Sequence, residues 1–195
     1  MNLPNKLTIV RIALIPFMMF FYLASFIPFG IGKIVALIIF IIAALTDLFD
    51  GKIARKHNMV TDLGKFLDPI ADKVLTSTAL FLLLADGTIP HPWGVIIVAI
   101  IITREFVVSA LRLVAASKGV VLAADIWGKA KTMVQMIAIP VCMLLPCLAG
   151  CVGIPAWLIL TTYIVGMVTL GVATVLTVVS GINYVVKNIN CFKEK

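Results

Sequence analysis

Acidic side chains are scarce in this chain. Asp and Glu number nine among 195 residues, against sixteen Lys and Arg, and charged residues of both signs make up only 13%. A mean hydropathy of +1.16 excludes an ordinary water-facing surface. Charge is missing altogether from several runs that approach or exceed the ~20 residues needed to cross a bilayer as helix. The period-two alternation of a membrane barrel strand is absent, and an open sheet cannot satisfy its backbone in lipid. No A-x-A exit follows the first apolar run, Ile12 to Phe29. That run is also too long for the h-region of a signal peptide, so it reads as a retained span. Internal repeats, low-complexity tracts and any sign of a second domain are lacking. Residues 1–195 therefore read as one integral-membrane domain. Its expected fold is all-α and polytopic, with six transmembrane helices near 7–29, 32–57, 64–85, 92–116, 127–148 and 154–186.

Basic residues are nearly absent from one side of that arrangement. The loops DGTIPHP and CLAGCVGIP hold no Lys or Arg, and the remaining connection on their side holds only Lys33. Lys6 and Arg11 fall before the first span, and Lys52, Arg55, Lys56 and Lys65 between the second and third. Arg112, Lys118, Lys129 and Lys131 fall between the fourth and fifth, and Lys187, Lys193 and Lys195 after the sixth. This is the positive-inside distribution with both termini cytoplasmic. It makes the formal charge of +7 a feature of membrane orientation and of attraction to anionic lipid, with no nucleic acid implied. The four cysteines form no disulfide framework. Cys147 and Cys151 flank an outer loop and either pair in an oxidising compartment or remain packed thiols.

Against this background the acidic residues are unevenly placed. Asp47, Asp50, Asp68 and Asp72 fall in the single window DLFDGKIARKHNMVTDLGKFLDPIADK, flanked by apolar runs. Counting inward from Lys33 at about 1.5 Å per helical residue puts Asp47 at ~21 Å and Asp50 at ~26 Å. Counting back from Asp86 puts Asp72 at ~21 Å and Asp68 at ~27 Å. Two antiparallel helices thus bring two carboxylates each to one level, just inside the cytoplasmic edge of a ~30 Å core. The i, i+3 and i, i+4 spacings give each pair one helix face. Four facing carboxylates in a low dielectric repel and protonate unless a cation lies among them. Oxygen-only ligands select Mg²⁺ or Mn²⁺ over zinc. Scattered charges snorkelling to a loop is the alternative, and Asp62 fits it; ionisable groups at the depth of the other four are costly and normally functional. Gly51, Ala54 and Gly64 leave room beside the acidic face, either for a ligand or for close helix packing. Arg55 is placed to pair with a phosphate or with one of the aspartates, and His57 reads as surface.

The pattern Asp47-x2-Asp50-Gly51-x2-Ala54-Arg55-x8-Gly64-x3-Asp68-x3-Asp72 resembles the complete signature of the CDP-alcohol phosphatidyltransferases. The stretches NLPNKLTIVR, TREFVVSALRLVAASKGVV and GKAKTMVQM resemble the phosphatidylglycerophosphate synthase branch. The resemblance implies a six-helix membrane enzyme, usually a homodimer, in a bacterial cell membrane with its active site open to the cytoplasm. It implies transfer of a phosphatidyl group from CDP-diacylglycerol to glycerol 3-phosphate, releasing CMP. On the matching positions, Asp47, Asp50 and Asp68 would be metal ligands, and Asp72 the general base, also near a second metal. Gly51, Ala54, Arg55 and Gly64 would line the CDP site.

The chemistry suits these residues. Two divalent ions ~4 Å apart neutralise a diphosphate and the departing phosphate, and a carboxylate takes the proton of the incoming hydroxyl. Asp72 is favoured because it lies one turn deeper than Asp68, towards a lipid-linked phosphorus. A phosphorylated acceptor needs cations of its own. Arg104 falls ~20 Å deep on the fourth span, level with the aspartates, and Glu105 either pairs with it or points to another helix. Arg112 lies two turns nearer the cytoplasm; Lys129 and Lys131 begin the fifth span, which Asp125 is placed to cap. As a group these cations suggest an acceptor-phosphate pocket; singly, Arg112, Lys129 and Lys131 also read as positive-inside anchors. Asn5 and Thr8 are placed either to touch the nucleotide or to make interfacial hydrogen bonds. The competing functions are the same chemistry with another acceptor (cardiolipin, phosphatidylserine or phosphatidylinositol phosphate synthesis), a divalent-cation transporter and a structural membrane protein. The uncharged outer halves Ile34–Leu45 and Leu75–Ala85 argue against conduction, and the carboxylate cluster argues against a merely structural role.

Overall fold

A computed structural model describes the backbone of residues 3–24, 26–27, 30–56, 62–117 and 126–188, and the side chains of these except at 3–5, 47–56, 62–66, 116, 117 and 188. The described residues form six helices and no strand: α1 (Leu3–Leu23), α2 (Ile31–Lys56), α3 (Asp62–Ala85), α4 (Trp93–Ser117), α5 (Ile126–Ala149) and α6 (Ala156–Asn188). The all-α expectation holds, with shifted bounds. The first helix begins at Leu3 and ends at Leu23, short of the expected Phe29. Gly30 takes φ +99°, and a Cβ there would stand 3.3 Å from the Gly150 backbone. Only a glycine suits that turn and that close approach.

Among the described residues four helices are long and apolar enough to cross a membrane: α1 over Lys6–Leu23, α4 over Trp93–Ala115, α5 over its whole length and α6 over Ala156–Lys187. The chain is a membrane protein. Among the described side chains the apolar part of α2 covers Ile31–Thr46, and α3 carries Asp62, Lys65, Asp68, Asp72 and Lys73. The surface is correspondingly inverted. Phe17, Phe20, Val107, Leu113, Val168 and Val175 are exposed, while the interior is built from Met18, Phe40, Leu75, Leu83, Ile101, Ile139 and Leu170. Apolar side chains outside as well as inside fit hydrocarbon as the solvent. Hydroxyls within the spans bond back one turn, as from Thr76 to the Asp72 carbonyl at 3.0 Å and from Thr177 to the Ala173 carbonyl at 2.6 Å. Such bonds keep those donors from standing bare in lipid.

α3 packs against α1, α2, α4 and α5, α6 lies against α4 and α5, and α5 also packs on α2. One end of this bundle is latched by polar contacts. Lys33 Nζ lies 3.1 Å from Asp86 Oδ2, the Tyr22 hydroxyl donates to the same oxygen at 2.5 Å, and the Thr88 amide donates to Oδ1 at 3.0 Å. Lys33 and Asp86, the two origins of the depth count, are thus in contact, which puts the start of α2 and the end of α3 on one level. Cys142, Cys147 and Cys151 are free thiols, and Cys147 donates to the Met143 carbonyl at 3.1 Å. Of the two readings of Cys147 and Cys151, this structure holds the unpaired one.

Burial works to raise the Asp86 pKa, but the hydrogen bonds donated by Thr88, Tyr22 and Lys33 outweigh it and hold the carboxyl below its ordinary value. The folded protein therefore binds that proton less readily than the unfolded chain. The latch contributes fully above the ordinary carboxylate pKa and loses its contribution as pH falls through the depressed one. Tyr22→Phe is expected to cost about 1–2 kcal/mol of stability at neutral pH. Thermal midpoints of wild type and Asp86→Asn in detergent should differ at neutral pH and converge below about pH 4; a gap that persists undiminished in acid would refute the charged latch.

Candidate active site

Asp68 and Asp72 stand one turn apart on α3, so they share a face, and both are half-buried. The Thr8 hydroxyl on α1 donates to Asp68 Oδ1. Thr8 is fully buried, and this bond between α1 and α3 holds the Asp68 carboxylate in place. Asp72 opens onto a polar pocket of about 610 Å³ between α3, α4 and α5. Lys73, Arg104, Glu105, Arg112, Lys129 and Thr132 share its walls. The side chains of Asn5, Asp47, Asp50, Ala54 and Arg55, and the surroundings of Gly51 and Gly64, lie outside the described residues, as do His57 and Asp125. Among the described residues no three Asp, Glu, His or Cys side chains gather as a metal cluster. The described half of the expected donor set is carboxylate oxygen, which suits a hard divalent ion. Its other half, Asp47 and Asp50, lies on α2, which packs directly against α3.

Three of the four expected acceptor cations line this pocket: Arg104, Arg112 and Lys129. Lys131 does not. It is fully buried, and its ammonium donates to Glu105 Oε1. Residues two apart do not share a helix face, so Lys129 and Lys131 could not both turn to the same space. Glu105 thereby reaches another helix, and its second oxygen remains 3.9 Å from Arg104 Nη1. Arg104 takes its short hydrogen bond elsewhere, from Nη2 to Ser180 Oγ on α6 at 2.8 Å. Its buried Nε has no hydrogen-bond partner among the described residues. Arg112 lies over the Tyr184 ring of α6, 5.5 Å from its centroid.

Two features escape a reading of the sequence. Arg11, expected as a basic flank to the apolar run that starts at Ile12, instead lies well inside α1 and is fully buried. The α6 partners of the arginines are the second. Their signal is faint, as Ser180 and Tyr184 are an i, i+4 pair in a stretch that also holds Thr174, Thr177 and Asn183.

Comparison with known proteins agrees with this picture. A Bacillus subtilis protein named CDP-diacylglycerol–glycerol-3-phosphate 3-phosphatidyltransferase is 43% identical, the match covering 98% of this chain and 97% of that protein. A Rickettsia bellii protein of the same name is 38% identical over 94% of this chain and 93% of its own. The family profile described as CDP-alcohol phosphatidyltransferase matches residues 1–179, which takes in all eight signature positions. A match of that extent, over helices that bring Asp72 and three cations to one pocket, means that the chain belongs to the CDP-alcohol phosphatidyltransferase family.

Proposed function

We propose that the chain carries out the reaction for which its relatives are named, transferring a phosphatidyl group from CDP-diacylglycerol to glycerol 3-phosphate with release of CMP. The observation that carries this reading is the pocket shared by Asp72, Arg104, Arg112 and Lys129: a carboxylate and a cluster of cations face one space. Asp72 accepts the proton of the acceptor's hydroxyl as that oxygen forms its bond to the phosphatidyl phosphorus. The bond from that phosphorus to the bridging oxygen breaks, and CMP departs with the electron pair. A base so placed typically contributes 10²–10⁴-fold. Arg104, Arg112 and Lys129 hold the acceptor's own phosphate, and charge-assisted N–H bonds suit that task. The first turn of α5, which borders the pocket at Gly128 and Lys129, adds the positive end of a helix dipole. Lys131 acts on the pocket through Glu105.

Asp47, Asp50, Asp68 and Asp72 are the residues that would hold one or two Mg²⁺ or Mn²⁺ ions. When bound, such ions supply charge neutralisation for the diphosphate and the leaving phosphate. Thr8 orients Asp68 for that role. Gly51, Ala54, Arg55 and Gly64 line the nucleotide's approach, with Asn5 nearby. The chain has six membrane spans with both termini and the pocket on the cytoplasmic side, supported by the distribution of Lys and Arg, and it works as a homodimer.

A product assay tests the reading: purified protein, CDP-diacylglycerol, Mg²⁺ and a panel of alcohols comprising glycerol 3-phosphate, serine, inositol phosphate and phosphatidylglycerol. Phosphatidylglycerophosphate is the expected product, and turnover with another alcohol alone would overturn the choice of acceptor. Arg112→Ala is expected to raise the KM for glycerol 3-phosphate by about tenfold or more, with the KM for CDP-diacylglycerol little changed. An unmoved acceptor KM would remove Arg112 from the pocket's function.

A further inference from the structure

The two pocket arginines on α4 take their settings from a helix that carries no charge between Ala156 and Val186. Ser180, at 1% exposure, accepts from Arg104 Nη2 at 2.8 Å and donates its own proton to the Thr177 carbonyl at 3.2 Å. That second bond turns the hydroxyl's lone pairs towards the guanidinium. At Gly181 a Cβ would stand 3.1 Å from Arg104 Cγ and 3.8 Å from Nε, so the missing side chain is the notch along which the arginine stem runs. One turn further, the Tyr184 ring lies beneath the Arg112 guanidinium at 5.5 Å, a cation–π distance. Ser180 and Tyr184 are i, i+4 and share a helix face.

We propose that Ser180, Gly181 and Tyr184 are positioning residues that aim Arg104 and Arg112 at the phosphate of the acceptor, and so set acceptor affinity without touching either substrate. The proposal rests on the acceptor-pocket reading above. The chemistry explains why neutral partners serve. Two guanidiniums that must converge on one anion repel each other until it arrives, and flexible side chains would turn away. A carboxylate partner would hold them but cancel the charge the ligand needs. A hydroxyl and an aromatic face orient a guanidinium and leave its charge intact. The nearest carboxylate, Glu105, is occupied by Lys131 and stands 3.9 Å from Arg104.

Steady-state kinetics on the full-length protein in detergent test this, varying glycerol 3-phosphate and CDP-diacylglycerol in turn, with thermal midpoints measured alongside. Ser180→Ala is expected to raise the acceptor KM about tenfold, and Tyr184→Leu about three- to tenfold. Tyr184→Phe keeps the ring and should keep the wild-type acceptor KM. Donor KM should stay at its wild-type value in all three, and the thermal midpoint should stay there in Tyr184→Phe. An unchanged acceptor KM in both Ser180→Ala and Tyr184→Leu, while Arg104→Ala raises it, would overturn the proposal and spare the pocket. Donor KM, acceptor KM and midpoint shifting together would reduce α6 to a packing role and overturn it as well. An Arg104→Ala variant with wild-type acceptor KM would instead remove the pocket reading, and this inference with it.

Discussion

Asp72→Asn is expected to lower the rate of phosphatidyl transfer by about 10²–10⁴-fold with no loss of the folded state. Asparagine matches aspartate in size and keeps a carbonyl oxygen, so packing on the half-buried face of α3 survives. What disappears is the capacity to take a proton at the wall of the pocket shared with Arg104 and Arg112. Asp68→Asn should be comparably severe for a different reason. Its carbonyl oxygen can still accept the Thr8 hydroxyl seen in the structure, so α1 stays seated on α3, but the negative charge proposed to bind a cation is gone. CMP release by purified protein, with circular dichroism and thermal midpoints as controls, measures both. Wild-type turnover in Asp72→Asn would end its assignment as base. Loss of activity accompanied by loss of the folded state would show that the residue serves packing.

Removal of divalent ions is expected to have an effect of similar size. EDTA should bring transfer to background, and Mg²⁺ or Mn²⁺ should restore it. The reason is electrostatic. Asp47, Asp50, Asp68 and Asp72 lie on helices that pack together, and carboxylates brought together away from water repel and protonate unless neutralised. A readout independent of turnover is the paramagnetic signal of Mn²⁺ titrated into the protein. Saturable binding that Asp68→Asn weakens would agree with the ligand set, whereas equal Mn²⁺ binding by wild type and variant would contradict it. Full activity in EDTA would remove the ions from the reaction.

The shared face of Asp68 and Asp72 is legible in the amino-acid order because it depends only on helix period, which is local. The contact between Lys33 and Asp86 means that both counts of depth begin from one plane. Helix existence is equally legible, since uncharged runs in lipid have no other way to satisfy their backbones. Helix ends are less so. α1 begins at Leu3 and buries Arg11, and a basic residue early in a hydrophobic run gives no sign of whether it is anchored at the surface or enclosed.

Sequence by itself determined that this protein is an all-α membrane protein with acidic pairs on two neighbouring helices, and through its signature which family it belongs to. Tertiary structure alone decided that Lys129 lines the pocket while Lys131 is enclosed with Glu105, that Thr8 holds Asp68, and that Ser180 and Tyr184 of α6 meet the two arginines. The physical reason is that a helix in lipid is apolar on its outer as well as its inner face. The contrast that marks the buried stripe of a water-soluble helix is therefore weak, and which face meets which neighbour is settled only when distant segments pack.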